Sequence, residues 1–309
     1  MALLFLSKSD DPAAWRAALT RRLPDLDMRV WPEVGDAREI DAALVWNHPR
    51  GELRNYPNLR LILSLGAGVN HLLDDPDLPA DVPIARIVDP GLTAGMVEYA
   101  LLAVLRYHRQ FDIYERFQRQ KTWKRLPIPL TDRRRIGVLG IGEIGGACAT
   151  ALASLGFPVA GWSRRRKSLP GIESYAGREQ LPAFLGRSDI LVCVLPLTAD
   201  THGILNRGTL SLLPRGSYVI NIARGAHIVD ADLLAALDSG QIAGATLDVF
   251  GKEPLPADHA YWSHPNVTVT PHAASITNPD TAADGIAENL RRLRDGRALR
   301  HLVDRKAGY

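Results

Sequence analysis

The sequence has little of what a disulfide scaffold, a metal protein or a membrane protein requires. Only two of its 309 residues are cysteine, Cys148 and Cys193. They form no CxxC pair and join no His/Cys cluster at ligand spacing, so neither a disulfide framework nor a metal site is expected. Both lie in apolar surroundings and read as buried free thiols. Long apolar runs are also missing. Nothing approaches the roughly 18 residues of a membrane span. The amino-terminal run Ala2–Leu6 has no basic residue ahead of it and is too short for a signal-peptide core. Charge of one sign is not in excess: 37 Lys and Arg face 34 Asp and Glu, a net charge of +3. Without a concentrated basic stripe, nucleic acid is not an expected partner. Repeats and low-complexity segments are absent. What remains is a chain 46% hydrophobic and 23% charged, long enough for two domains, expected in the cytoplasm and away from membranes.

The chain alternates between two periodicities. Leu3–Leu6, Arg29–Trp31, Ala42–Trp46 and Leu59–Ser64 read as strands, and Asp11–Arg22 as a helix with Trp15, Ala18 and Leu19 on one face. Such alternation predicts a parallel sheet with helices on both faces. From Thr93 to Trp123 the pattern predicts one long helix, apolar nearly all round in its first half and mixed aromatic and charged in its second, where Phe111, Tyr114 and Phe117 fall. That second half suits packing against a partner subunit. A linker carrying Pro127 and Pro129 ends it. A second series follows, with strands at Arg135–Leu139, Pro158–Trp162, Ile190–Leu195, Ser217–Asn221, Gly244–Leu247 and Val267–Thr270. Helices include Ile144–Ser154, Asp230–Ser239 with Asp230 as its N-cap, and a final one at Thr281–Asp295. Six strands with helices between them fit a complete dinucleotide fold.

Two sets of residues carry chemistry. The first is Gly140-Ile-Gly142-Glu-Ile-Gly145, entered from a strand and left by a helix. In that setting Gly140 permits a tight turn, Gly142 lets backbone approach a pyrophosphate, and Gly145 lets helix and strand pack closely. The helix N-terminus offers unpaired amides to the phosphates. An NAD site would place a carboxylate at the end of the next strand to accept the ribose 2′-hydroxyl. Here that position reads Ser163-Arg164-Arg165-Arg166-Lys167, hydroxyl and guanidinium groups suited to a 2′-phosphate. The bland alternative is a solvated basic loop. The second set is Arg224, Glu253 and His272, each following a strand. Reduction of a keto acid needs a cation on the carboxylate and carbonyl, which a forked guanidinium provides. It needs a proton donor that titrates near neutrality, which is histidine. A carboxylate on the other ring nitrogen would fix the tautomer and favour the protonated ring.

The motifs VLGIGEIG, LPLTADTHGIL, NIARGAHIVD, LDVFGKEPLP and TPHAAS resemble those of the D-isomer-specific 2-hydroxyacid dehydrogenase family. ALVWNHP, SLGAGVNHL, GWSRRRKSLPG and the terminal VDRKAGY are similar to its bacterial glyoxylate/hydroxypyruvate reductase A group, and the likeness covers essentially the whole chain. The resemblance implies Arg224 as substrate anchor, Glu253 as the histidine's partner and His272 as acid/base. It implies that the amides of Ala67 and Gly68 hold the substrate carboxylate and that Trp46 lines the substrate pocket; a core tryptophan is the other reading of Trp46. It implies cofactor contacts from Gly142, Glu143 and Ile144, from Ser163, Arg164 and Arg165, from Leu195, Pro196 and Leu197, from Ile222 and Ala223, and from Asp248. It implies a homodimer through the 96–123 region. The chain departs from NAD-using members at Ser163, where they carry Asp, and at Met96, where many relatives carry Thr.

The reading is therefore two doubly wound, Rossmann-like α/β domains with the active site in the cleft between them. Residues 1–98, completed by 284–309, are expected to hold substrate, and 99–283 the dinucleotide. The expected activity is reduction of glyoxylate, hydroxypyruvate or a larger 2-keto acid such as phenylpyruvate to a D-2-hydroxy acid, with NADPH preferred and NADH weaker. The alternative is a dinucleotide-sensing regulatory protein of the same fold, without significant turnover.

Overall fold

A computed structural model describes all residues, Met1–Tyr309. The chain forms two compact units, Met1–Leu92 with Ile276–Tyr309, and Thr93–Ser275.

The first unit carries β1 (Ala2–Leu6), α1 (Pro12–Thr20), β2 (Asp27–Val30), β3 (Ile40–Val45), β4 (Leu61–Ser64), the single turn α2 (Asn70–Leu73) and β5 (Ile84–Ala85). The sheet is parallel in the order β2-β1-β3-β4-β5. Alternate residues divide its core, as the twofold period of a strand requires. Leu3, Phe5, Leu44 and Leu63 face one side and pack with Trp15, Ala18 and Leu19 of α1. Leu4, Leu6, Val45 and Ile62 face the other, against Leu53, Tyr56 and Leu72. Two-residue β5 was not legible in the sequence, being too short to show a period.

The second unit begins in α3 (Pro90–His108) and continues through α4 (Phe111–Arg119), β6 (Ile136–Leu139), α5 (Glu143–Ser154), β7 (Val159–Ser163), β8 (Glu173–Ala176), α6 (Gly177–Gly186), β9 (Ile190–Cys193), α7 (Arg207–Leu210), β10 (Ser217–Asn221), α8 (Asp230–Asp238), β11 (Ile242–Leu247) and β12 (Val267–Val269). Its seven strands run in the order β12-β11-β10-β9-β6-β7-β8. That is the doubly wound dinucleotide order with one strand added beyond the sixth. Ile136, Val138, Ile190 and Val192 pack under α3 and α5. Leu139, Leu191, Val219 and Leu247 pack under α6 and α8.

Helix α9 (Pro279–Arg294) returns to the first unit. Asn278 caps it by accepting from the Asp280 amide. Ala282, Ala283, Ile286, Leu290 and Leu293 lie along one face and complete the α1 side of that core.

Three local expectations are corrected. The long helix from Thr93 to Trp123 is two helices, broken at Gln110, whose φ is 58°. Tertiary contacts hold the break: Gln110 Nε2 donates to the Pro127 carbonyl at 2.6 Å, and the Leu126 amide donates to Tyr114 Oη at 3.0 Å. Asp230 does not cap α8 but is its first residue, with Val229 at the cap. The Asp230 carboxylate instead accepts from Tyr261 Oη at 2.9 Å. Finally, β8 is a seventh strand missed in the sequence. Its residues ESYA are half-exposed edge residues with no apolar alternation, and pairing with β7 alone makes them a strand.

Candidate active site

Every residue of the candidate site in the second unit lies at or just beyond the carboxyl end of a strand. The segment Gly140–Gly145 leaves β6, the central strand between β7 and β9. Gly140 has φ 107°, and a Cβ there would sit 2.8 Å from the Val194 carbonyl. A Cβ on Gly145 would sit 1.8 Å from the Gly140 carbonyl oxygen, so α5 starts flush against the turn. Gly142, the N-cap of α5, has nothing within 4 Å of where its Cβ would be. The amides of Glu143, Ile144 and Gly145 have no carbonyl one turn back within the helix. An open space at a helix N-terminus, lined by amides, can take a phosphate.

Ser163 is the last residue of β7 and is buried, and its Oγ donates to the Arg165 carbonyl at 2.6 Å. This bond folds the basic loop back over the strand end. Arg166 donates to the Ser174 carbonyl and to Gln180, and Arg164, Arg165 and Arg166 are all exposed. The 195–197 segment follows β9. There Leu195 is buried and the Pro196 carbonyl accepts from Thr201 Oγ1 at 2.7 Å. Ile222 and Ala223 follow β10 as buried residues, tied by their amides to Cys193 and to Asn221 Oδ1.

Arg224 comes next. Burial pushes its guanidinium below its ordinary pKa, and the charge of Glu253 opposes that push. Its Nη1 donates to the Ala223 carbonyl at 2.6 Å, leaving donors of the fork available for a ligand. Gly225 explains how Arg224 and Glu253 come near one another. A Cβ on Gly225 would lie 1.8 Å from the Phe250 carbonyl carbon, so the loops after β10 and β11 touch backbone to backbone. Asn221, fully buried, donates from Nδ2 to the Arg224 carbonyl at 2.9 Å.

Glu253 accepts from the Phe250 amide at 2.9 Å through Oε1 and meets His272 Nδ1 at 2.8 Å through Oε2. Desolvation alone would raise its pKa, but the hydrogen bonds from His272 and Phe250 and the nearby positive charge win and lower it. Because Nδ1 is committed to Glu253, the ring's exchangeable position is Nε2, on a side chain 41% exposed. His272 sits at φ 53°, a left-handed conformation that a non-glycine residue keeps only when its surroundings hold it. Here the His272 amide donates to the Asp248 carbonyl at 2.8 Å. The Asp248 carboxylate, buried, accepts from Thr270 Oγ1 and the amides of Ala273 and Ala274. Asp248, read from the sequence as a cofactor contact, thus also pins the loop that presents the histidine.

The first unit places Trp46 directly after β3 and Ala67 and Gly68 after β4. Gly66 is tight against Trp46, since a Cβ there would lie 2.5 Å from its ring. The Trp46 ring also meets that of His71 at 4.4 Å between centroids. Ser64 Oγ donates to the Gly68 carbonyl at 3.2 Å and accepts from the Gly66 amide, which curls the loop. The amides of Ala67 and Gly68 donate to no backbone carbonyl, as an anion-binding loop requires. Behind it, buried His48 and Asp75 meet at 2.9 Å.

Sequence reasoning singled out Arg224, Glu253 and His272 but passed over Asn221, Gly225 and His227, which support them. Asn221 and His227 are ordinary polar residues in the string NIARGAHIVD, and only their burial marks them.

Known proteins match this arrangement along its full length. The D-isomer specific 2-hydroxyacid dehydrogenase NAD binding domain matches residues 101–274. The glyoxylate/hydroxypyruvate reductase A of Serratia proteamaculans is 45% identical over 314 residues, covering 100% of both chains; that of Yersinia enterocolitica is 43% identical with the same coverage. Among solved structures, a D-isomer specific 2-hydroxyacid dehydrogenase from Xanthobacter autotrophicus Py2, in complex with NADPH and MES, is 45% identical with a TM-score of 0.97, covering 100% of this chain and 99% of that one. An NADPH-dependent glyoxylate/hydroxypyruvate reductase from Sinorhizobium meliloti, in complex with NADP and sulfate, is 37% identical with a TM-score of 0.93 and complete coverage of both chains. With its dinucleotide-type sheet, its Arg–Glu–His set and relatives of this closeness over its entire length, the chain belongs to the D-isomer specific 2-hydroxyacid dehydrogenase family of oxidoreductases.

Proposed function

We propose that this enzyme uses NADPH to reduce small 2-keto acids, glyoxylate and hydroxypyruvate foremost and phenylpyruvate as a larger candidate, to D-2-hydroxy acids. The observation that carries the reading is a partly buried guanidinium, Arg224, beside a His272–Glu253 pair whose second ring nitrogen is left for a ligand. The relatives' names, and the NADPH and NADP in the solved relatives, support both substrate class and cofactor.

The residues fit the cofactor. The α5 N-terminus is open at Gly142, where no atom lies within 4 Å of a would-be Cβ, which suits the approach of a pyrophosphate to the amides, and Ser163, Arg164 and Arg165 offer a hydroxyl and two cations where a 2′-phosphate would lie. Glu143 and Ile144 contribute amides, and Leu195, Pro196, Leu197, Ile222 and Ala223 contribute the apolar wall for the nicotinamide. When bound, NADPH supplies the hydride that goes to the keto carbon. The chain's own residues do the rest. Arg224 grips the substrate carboxylate and draws electron density from the carbonyl, a bidentate task suited to its planar fork. On the first unit, the Ala67 and Gly68 amides suit the substrate's anionic group, and Trp46 beside them suits its side chain. His272 gives its Nε2 proton to the developing alkoxide. Glu253 holds Nδ1–H, fixing the ring's tautomer and leaving Nε2 for the transfer. In this assignment the first unit receives substrate and the second the dinucleotide.

A second copy of the chain is the expected partner. Leu102, Phe111, Trp123, Ile128 and Leu130 are all at least 42% exposed, and α4 has no buried residue at all in a single chain. These exposed apolar side chains fall within one stretch of the sequence, which supports a surface that another chain covers. The reduced, buried Cys148 and Cys193 suit the cytoplasm.

The test is turnover. Purified enzyme should oxidise NADPH with glyoxylate or hydroxypyruvate, at kcat/KM at least about tenfold above that with NADH, the worth of one charge-assisted bond to the 2′-phosphate. Ser163→Asp with Arg164→Ala should reverse that order by adding repulsion as well as removing attraction. NADPH binding without turnover on any 2-keto acid would favour the dinucleotide-sensing reading.

A further inference from the structure

Below Arg224 lies a histidine that the reaction scheme does not use. His227 is wholly buried, 0% exposed, in the turn after β10. Its ring stands between two loops. Nδ1 is 3.0 Å from the Arg224 carbonyl and 3.3 Å from the Arg224 amide, while Nε2 is 3.3 Å from the Pro196 carbonyl. Its own backbone is locked as well: the Leu205 amide donates to the His227 carbonyl, and the His227 amide donates to the Arg224 carbonyl. With its backbone fixed and its side chain fully buried, the ring is enclosed beside these partners.

A neutral imidazole has one N–H and one lone pair. With the proton on Nε2, the ring donates to Pro196 and accepts the Arg224 amide, joining both loops. With the proton on Nδ1, it donates to the Arg224 carbonyl and lets go of Pro196. Burial lowers the ring's affinity for a second proton, so these two neutral forms are the ones to weigh. The 195–197 loop follows β9, and Arg224 follows its neighbour β10. One loop is placed against the nicotinamide in the proposed function, the other holds the keto acid.

We propose that His227 is a positioning residue that sets the Arg224 peptide against the 195–197 loop, so that the substrate's carbonyl is held at the right depth relative to the nicotinamide. This rests on the function proposed above. His227 touches neither substrate nor cofactor in this scheme and acts through Arg224. A small misplacement of a substrate-holding group costs up to about 100-fold in rate.

The test uses three variants of the full-length enzyme with a 2-keto acid and NADPH. Asn places a polar atom near the position of Nδ1, Gln near that of Nε2, and Leu supplies neither. His227→Leu should lower kcat/KM for the keto acid by about 10- to 100-fold and leave the Kd for NADPH within about twofold. His227→Asn should recover part of the keto-acid KM by restoring the contact to Arg224. His227→Gln keeps only the tie to Pro196 and should recover less. In a cycle with Arg224→Lys, the double variant should lose less than the product of the two single losses, because both act on one group. The proposal is overturned if folded Leu and Asn variants have the same kinetics, if activity merely tracks Tm, or if the losses with Arg224→Lys multiply. Should His227→Leu fail to fold, the Asn and Gln variants and the cycle with His227→Asn decide alone. A parent enzyme inactive on every keto acid would instead sink the function itself.

Discussion

Arg224 carries a charge in a place where charge is costly, and nothing within its own loop neutralises it. Its side-chain hydrogen bond goes to the neighbouring carbonyl of Ala223, and burial has already weakened its hold on its proton. An anionic substrate is the natural remedy. Arg224→Lys keeps the charge but loses the fork. It is expected to raise KM for the keto acid and lower kcat together, as seen in steady-state kinetics; parental values in the Lys enzyme would remove Arg224 from the site. For His272, replacement by Ala should cost about 10²–10⁴ in kcat, the usual worth of a positioned general acid. Glu253→Gln breaks the charge-assisted contact that holds Nδ1 and should lower kcat by about tenfold or more, such a bond being worth roughly 1.5–3 kcal/mol. Parental kcat in the Gln enzyme would show that the 2.8 Å contact has no catalytic role. The same pair sets a sign for stability. The Glu253 carboxyl is held below its ordinary range, so its contribution is present above the unfolded value and is lost as pH falls through the folded one.

At the scale of elements, the turn from β6 into α5 separates two glycines that look equivalent in a motif. At Gly145 a methyl group would sit 1.8 Å from the Gly140 oxygen, backbone against backbone, so β6 and α5 must part. Gly145→Ala should destabilise the second unit by about 3 kcal/mol or more, at the upper end of overpacking, measurable by thermal or urea unfolding. At Gly142 there is nothing within 4 Å and φ is −75°, so Ala fits the fold. Gly142→Ala should melt with the parent but bind NADPH about tenfold more weakly, since the methyl group enters the space facing the amides. Equal behaviour of the two variants, in melting or in binding, would contradict this division of labour.

For the whole molecule, the surface from Leu102 to Leu130 is the feature that a single chain leaves unexplained. Leu102 is 68% exposed, Phe111 57% and Leu130 69%. Covered by a second copy, they would form the apolar centre of a permanent interface. Sedimentation should give twice the chain mass of 33.8 kDa. Leu102→Glu combined with Phe111→Glu should give a monomer, because two buried unpaired carboxylates are too costly to keep. A parent that sediments as a monomer at micromolar concentration would refute the dimer.

Much was determined by the sequence alone, for identifiable reasons. Strands such as Leu3–Leu6 and Ser217–Asn221 are buried on both faces and so read as apolar runs. Gly140, Gly142 and Gly145 show themselves by their GxGxxG spacing between an apolar strand and a helix, and Ser163 because a missing carboxylate is visible as an absence. Arg224, Glu253 and His272 stand out because their chemistry is rare and jointly coherent. Tertiary structure alone decided what depends on distant partners. The helix breaks at Gln110 because Pro127 and Leu126 hold the turn. The residues ESYA become a strand only because β7 offers an edge. Asp230 serves Tyr261 rather than a cap. His227 reads as one more histidine until burial closes it between Pro196 and Arg224. Periodicity and residue type are local quantities that a chain displays along its length, whereas a hydrogen bond between loops dozens of residues apart exists only once the sheet has brought their ends together.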